Sequence, residues 1–214
     1  MNLQISGLLL VVALFPSSSA LTPDECKPLQ TPLSLDHFSE TYSGRWNFLA
    51  AYASHDAFGD ILKGTESSWV NINQTAKANE AVMFQENRIN GTCVFSSSHL
   101  VIEGNTGLCS VANVSSQFQL LPSCTDCLVM SINTTARNLD TLLQKMHYSS
   151  SGVTAEEYHI HSLYLMARGS SLQDSDLEKF KQQASCFGFS GEPEFHYDPK
   201  NEFCAEGEGI KVVL

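Results

Sequence analysis

From Gly44 to about Asn133 the chain alternates apolar and polar residues in short runs separated by Asn, Gly, Ser and Pro. The runs are RWNFLAAYAS, SSWVNIN, EAVMFQEN, TCVFSSSHLVIE, GLCSVANV, SQFQLLPS and CLVMSIN. Runs of this kind, rich in Val, Ile, Phe, Thr and Ser, predict strands, and seven at near-regular spacing with short turns predict an antiparallel meander. The pattern breaks over 134–157, where LDTLLQKM and a Ser-Ser-Ser-Gly turn predict a long connection with one helical piece. An eighth strand follows, YHIHSLYLMAR, and both its faces are apolar: Ile160, Tyr164 and Met166 on one, Leu163 and Leu165 on the other. A helix is then expected from about Ser175 to Cys186. Leu177, Phe180 and Ala184 give it one apolar face, and Ser175-Asp-Leu-Glu178 reads as a capping box. Eight antiparallel strands can close on themselves, which removes both edges and leaves an interior wide enough for side chains or one small ligand. The expected fold is all-β, an eight-stranded antiparallel up-and-down barrel with one C-terminal α-helix packed on the outside.

The ends set the domain boundaries. Residues 1–20 hold an apolar run from Leu8 to Phe15, then Pro16 and small residues to Ala20, and read as a secretory signal peptide. Residues 21–43 form an N-terminal arm with one helical turn expected near Leu35 to Phe38. Residues 44–190 carry the barrel and helix, and 191–214 form a Pro- and Gly-marked tail. Seven cysteines, all after residue 20, suit an oxidising compartment. Seven is odd, so at least one thiol is free or joined to another molecule. Sequons at Asn73, Asn90, Asn113 and Asn133 agree with a secreted, extracellular glycoprotein and put those asparagines on the surface. The formal charge of −11, from 23 acidic and 12 basic residues, and the lack of a basic cluster argue against nucleic-acid and anionic-membrane partners. The acidic balance reads first as a soluble surface, with a field that favours cationic ligands as the alternative, and no segment after the signal reaches membrane-spanning length. A soluble monomer is expected.

Gly44-Arg-Trp46 at the first strand, Thr125-Asp126 between strands six and seven, and Arg168 at the end of strand eight resemble the lipocalin family. The resemblance implies that Gly44 and Trp46 lie at the closed end of the barrel and that Arg168 packs over the indole, a structural role. The cysteine layout resembles the alpha-1-acid glycoprotein branch and implies pairing of Cys26 with Cys186 and of Cys93 with Cys204. The run of the chain is also similar to fish lipocalins that bind saxitoxin and tetrodotoxin or tributyltin. Cys109, Cys124, Cys127 and the segment 134–157 depart from the pattern. A disulfide between two of those three cysteines is expected.

The resemblance implies binding and transport or sequestration of a small hydrophobic molecule, cationic or toxic among the options, in the barrel cavity. If Asn133 points outward, strand parity sends Met130 and Ile132 inward with Leu128. Alignment by family resemblance adds Phe48, Tyr52, Met83, Gln85, Val111, Phe118, Tyr164 and Met166, and Trp69 is a further candidate. No cofactor or metal is expected. His159 and His161 share one outward face, where packing or solvation competes with metal binding. Cys109 takes the inward parity of Val111, and an inward thiol is similar to that of the lipocalin-type prostaglandin synthase. The nucleophile of that enzyme lies on an earlier strand, and SSWVNIN has no cysteine. A non-enzymatic carrier is therefore expected, with a cysteine-dependent isomerase and an immune-modulating, surface-binding lipocalin as the alternatives.

Overall fold

A computed structural model describes residues 21–111, 113–139 and 156–211. Two short helices come first, α1 at Pro23–Gln30 and α2 at Phe38–Thr41. Then come β1 at Gly44–Ala53, α3 at Asp56–Gly64, β2 at Thr65–Gln74 and β3 at Glu80–Ile89. The run continues with β4 at Thr92–Glu103, β5 at Thr106–Val111, β6 at Val114–Leu121, β7 at Cys127–Arg137 and β8 at Glu157–Ala167. It ends with α4 at Asp174–Cys186, β9 at Phe195–His196 and β10 at Ile210–Lys211. Strands β1 to β8 each pair antiparallel with the next, and β8 returns to β1, so the barrel is closed. The fold class and the helix on the outside are as expected. The two-residue link between β3 and β4 holds Asn90 at φ 47° and Gly91 at φ 78°, a geometry for which Asn-Gly is the favoured pair.

Four local features differ from the sequence expectation. The link between β1 and β2 was expected to be a short turn and is helix α3, whose Phe58, Ile61 and Leu62 fall at i, i+3 and i+4. The His55 ring nitrogen caps it by accepting from the Ala57 N–H at 3.2 Å. The arm contains α1, whose Thr22 and Glu25 form a reciprocal capping box. The box expected at Ser175 and Glu178 does not form, because α4 starts one residue earlier and its N-cap, Gln173, makes no side-chain bond. Strand β7 extends to Arg137 and β8 begins at Glu157, so the expected connection is shorter at both ends. The helical piece expected in LDTLLQKM and the signal segment 1–20 lie outside the described residues.

The wall is uneven between β1 and β2. These strands pair only from Gly44↔Ile72 to Asn47↔Trp69. Above that, the C-terminal segment takes the free edge of β1: the Tyr197 N–H donates to the Leu49 carbonyl at 2.9 Å, and Ala50 and Ala51 pair with His196 and Phe195. A bulge between Phe48 and Ala50 inverts the alternation of β1.

Outside the barrel, Phe180 and Ala184 of α4 pack against Tyr52, Val129, Leu163 and Leu165. Disulfides join Cys26 to Cys186, Cys93 to Cys204, and Cys124 to Cys127. The first two span 160 and 111 residues. In the chain-entropy picture, closing loops that long stabilises by roughly 4 to 5 kcal/mol each. At the closed end the Trp46 ring N–H donates to the Tyr42 carbonyl at 2.9 Å, and the Arg168 guanidinium lies 3.8 Å above the indole. Gly44 has φ +86°, and a Cβ there would meet Arg168 Nη1 at 3.2 Å. Gly44, Trp46 and Arg168 thus meet at this end of the barrel.

Candidate functional site

Register fixes the order of inward residues along the barrel axis. At the closed base, Trp46, Ile72, Leu100, Leu120, Leu128 and Met166 form one apolar cluster, with Phe38 of α2 packed against it. Above them is a cavity of about 320 Å³, at the small end of the range for ligand pockets. Its middle is lined by Phe48, Val70, Met83, Phe118, Met130 and Tyr164. Phe48 and Tyr164 meet edge to face at 5.4 Å between ring centroids. Phe118 lies across Gly107 on the neighbouring strand, where a Cβ would come within 2.0 Å of its ring. Phe58, Ile61 and Leu62 of α3 and Phe195 of the tail complete the lining at the β1–β2 gap.

Of the residues expected to face the ligand, Phe48, Met83, Gln85, Phe118, Met130, Ile132, Tyr164 and Met166 line this cavity. Two are corrected. Tyr52 faces outward because the β1 bulge reverses parity beyond Phe48. It pairs with Leu163, lies against Phe180 and Phe189, and donates its hydroxyl to the Gly191 carbonyl at 2.9 Å. Burial pushes its phenol up to about 12. Trp69 also faces outward, since Ser68 and Val70 take the inward positions of β2. It is covered by the tail and donates its ring N–H to the Cys204 carbonyl at 2.8 Å, with Arg45 stacked at 4.4 Å. The side chain of Val111 lies outside the described residues.

The inward polar residues went largely unread. Asn87 follows Gln85 at the same parity, and Ser96 and Ser98 share the inward face of β4, so alternation alone could have found them. Ser68 donates to Asn87 Oδ1 at 2.7 Å, and Gln85 Nε2 donates to the same atom at 3.0 Å. Across the cavity Ser116 and Thr134 share a hydrogen bond of 2.8 Å. Helix α3 was missed because a nine-residue segment between two strands reads as a turn unless its own periodicity is tested.

Cys109 lines the cavity as a free thiol. Burial pushes its pKa up, against a smaller opposite pull from the Ser98 hydroxyl, which leaves little thiolate at neutral pH. Burial likewise raises the Tyr164 phenol, offset in part by Ser162. The two histidines of β8 are engaged separately. His159 lies 3.0 Å from Glu157, while His161 bonds Ser131 at 2.9 Å among Phe187 and Phe189, where burial lowers its pKa. Among the described residues, Cys93, Cys204 and Glu208 are the one group close enough to hold a metal, and both sulfurs are already joined to each other.

No protein-family model matches the chain, and no curated protein matches its sequence. Solved structures do match. One siderocalin, described as revealing a dual ligand binding mode, is 13% identical with a TM-score of 0.57, over 80% of this chain and 97% of its own. The siderocalin Ex-FABP, described as functioning through dual ligand specificities, is 12% identical with a TM-score of 0.50, over 69% of this chain and 87% of its own. Identity at this level speaks for the fold alone, which is lipocalin-like.

Proposed function

We propose that the chain is a secreted, monomeric glycoprotein that binds a small hydrophobic molecule in its barrel and carries or sequesters it unchanged. The observation that carries this reading is the apolar cavity of about 320 Å³, enclosed by the strands and by α3 and lined by aromatic rings with a few neutral polar groups. The matching siderocalins are described in terms of the ligands they bind, which supports the same use of the fold. Three disulfides suit an oxidising compartment, and all four sequon asparagines are exposed, which supports secretion and glycosylation. The two long-range cysteine pairs are those that a resemblance to the alpha-1-acid glycoprotein branch implies, and they support a place near it.

A carrier and an isomerase differ in what leaves the cavity. The raised Cys109 pKa argues against nucleophilic use of that thiol. Molecules extracted from the native protein and identified by untargeted mass spectrometry should rebind, change tryptophan fluorescence, and be recovered intact with Cys109 free or alkylated. A rearranged product formed only with the free thiol would replace the carrier by an isomerase. Failure of every extracted or added apolar probe to bind would remove the cavity as the working site.

A further inference from the structure

We infer, resting on the carrier reading, that the ligand is uncharged, with an apolar end seated on the base of the barrel and hydrogen-bonding groups at mid-height. In a chain with 23 acidic and 12 basic residues, no Asp, Glu, Lys, Arg or His lines the cavity among the described residues. The polar lining is entirely neutral. Asn87 Oδ1 receives both the Ser68 hydroxyl and the Gln85 amide, so the Gln85 carbonyl and the Asn87 amide N–H groups are left for a ligand. Ser116 and Thr134 supply hydroxyls from the opposite wall.

The height of these groups follows from register. Ser68 stands opposite Asn87, and Gln85 opposite Ser96, in the upper half of β2, β3 and β4. Below them are Met83, Ile72 and Leu100, and the apolar side chains of α3 lie over the gap above. The sequence of environments along the axis is apolar base, neutral polar belt, apolar cover. A ligand matching it has a hydrocarbon end and an alcohol, ketone or amide part way along.

A charged head group would lose its water without meeting a counter-charge. It would bind in its neutral form instead. At about pH 7.4 an amine with a pKa near 10.4, or a carboxylic acid near 4.3, must give up three pH units to do so, roughly a thousandfold in affinity. The negative field of the whole protein can favour amine over carboxylate, but it acts through solvent and fades with salt.

The test uses one apolar frame carrying a hydroxyl, an amine, a carboxylate or hydrogen, titrated against the mature glycosylated chain between about pH 5 and pH 9. The alcohol should bind tightest and independently of pH, and the hydrocarbon about 3- to 10-fold more weakly. The amine should bind up to about a thousandfold more weakly and tighten roughly tenfold per unit rise in pH. The carboxylate should tighten as pH falls. Gln85→Leu with Asn87→Leu should abolish the advantage of the alcohol while hydrocarbon binding, which reports the intact fold, persists. Gln85→Glu should turn the preference toward the amine. A charged member equal to the alcohol at every pH, or a hydrocarbon equal to it, would overturn the inference while leaving the carrier reading intact. Failure of all four to bind would bring down the carrier reading itself.

Discussion

Replacing Arg168 with alanine separates closure of the barrel base from ligand binding. The guanidinium lies 3.8 Å from the Trp46 ring centroid and donates from Nη1 to the Arg45 carbonyl at 2.9 Å. At an exposed site the stacking contributes about 0.5 to 1 kcal/mol, and the hydrogen bond about 0.5 to 1.5 kcal/mol. The expected loss is therefore about 1 to 2.5 kcal/mol, which for a domain of this size lowers Tm by about 2 to 10 °C. Near-ultraviolet circular dichroism would follow the Trp46 environment through the melt, and a fluorescence titration would give ligand affinity before unfolding. Affinity should hold, because Arg168 is exposed outside the base while the cavity begins above the Trp46 cluster. Arg168→Lys should restore less than half of the loss, since an ammonium cannot lie flat on the indole while reaching the same carbonyl. An alanine variant that melts like the native protein but binds ligand poorly would refute the reasoning, because it would put the arginine in the binding site and leave the base closed without it.

Gly107→Ala places a Cβ 2.0 Å from the Phe118 ring, so the ring must swing from its place in the cavity. The expected result is a destabilisation of about 1 to 3 kcal/mol together with weaker ligand binding, and a melt and titration both unchanged would show that the ring does not hold that position. Glu86 is fully buried under the tail, with Oε1 accepting from the Gly207 N–H at 2.7 Å. Burial raises its pKa against the pull of the Gly207 and Gly209 N–H groups, so the folded chain binds this proton more tightly than the unfolded chain and stability falls as pH rises through the raised value. Glu86→Gln should then be more stable than the native protein at neutral pH and equal to it below about pH 4, and a stability difference independent of pH would disprove the ionisation argument.

The barrel was legible because its signal is local and repeated. Each strand announces itself by alternation within one run, and an Asn-Gly pair such as Asn90-Gly91 marks the tightest turn. Phe180 and Ala184 identified the buried face of α4 for the same reason. Tyr52 was misplaced because one bulge after Phe48 reverses every later residue of β1, and a bulge has no fixed sequence sign when it lacks glycine. Trp69 was misplaced because its alternation is correct but its outward face is covered. Only the tail, held more than a hundred residues away by the Cys93–Cys204 bridge, makes that position dry.

The same distinction explains why the cavity was half read. Its apolar members can be recognised by type, since Phe48, Phe118 and Met130 suit any protein interior. Serine and asparagine on a strand read by default as solvent-facing, so Ser68, Asn87, Ser96 and Ser98 are passed over by residue type although strand parity turns them inward. Those residues distinguish this cavity from a generic core. A core of this size would exclude them, because each buried hydroxyl or amide costs free energy unless it is bonded. Here they bond to one another at Ser68, Gln85 and Asn87, and at Ser116 and Thr134, yet retain donors and acceptors beyond those bonds. Packing needs none of that spare capacity, whereas the neutral polar ligand proposed above would use it.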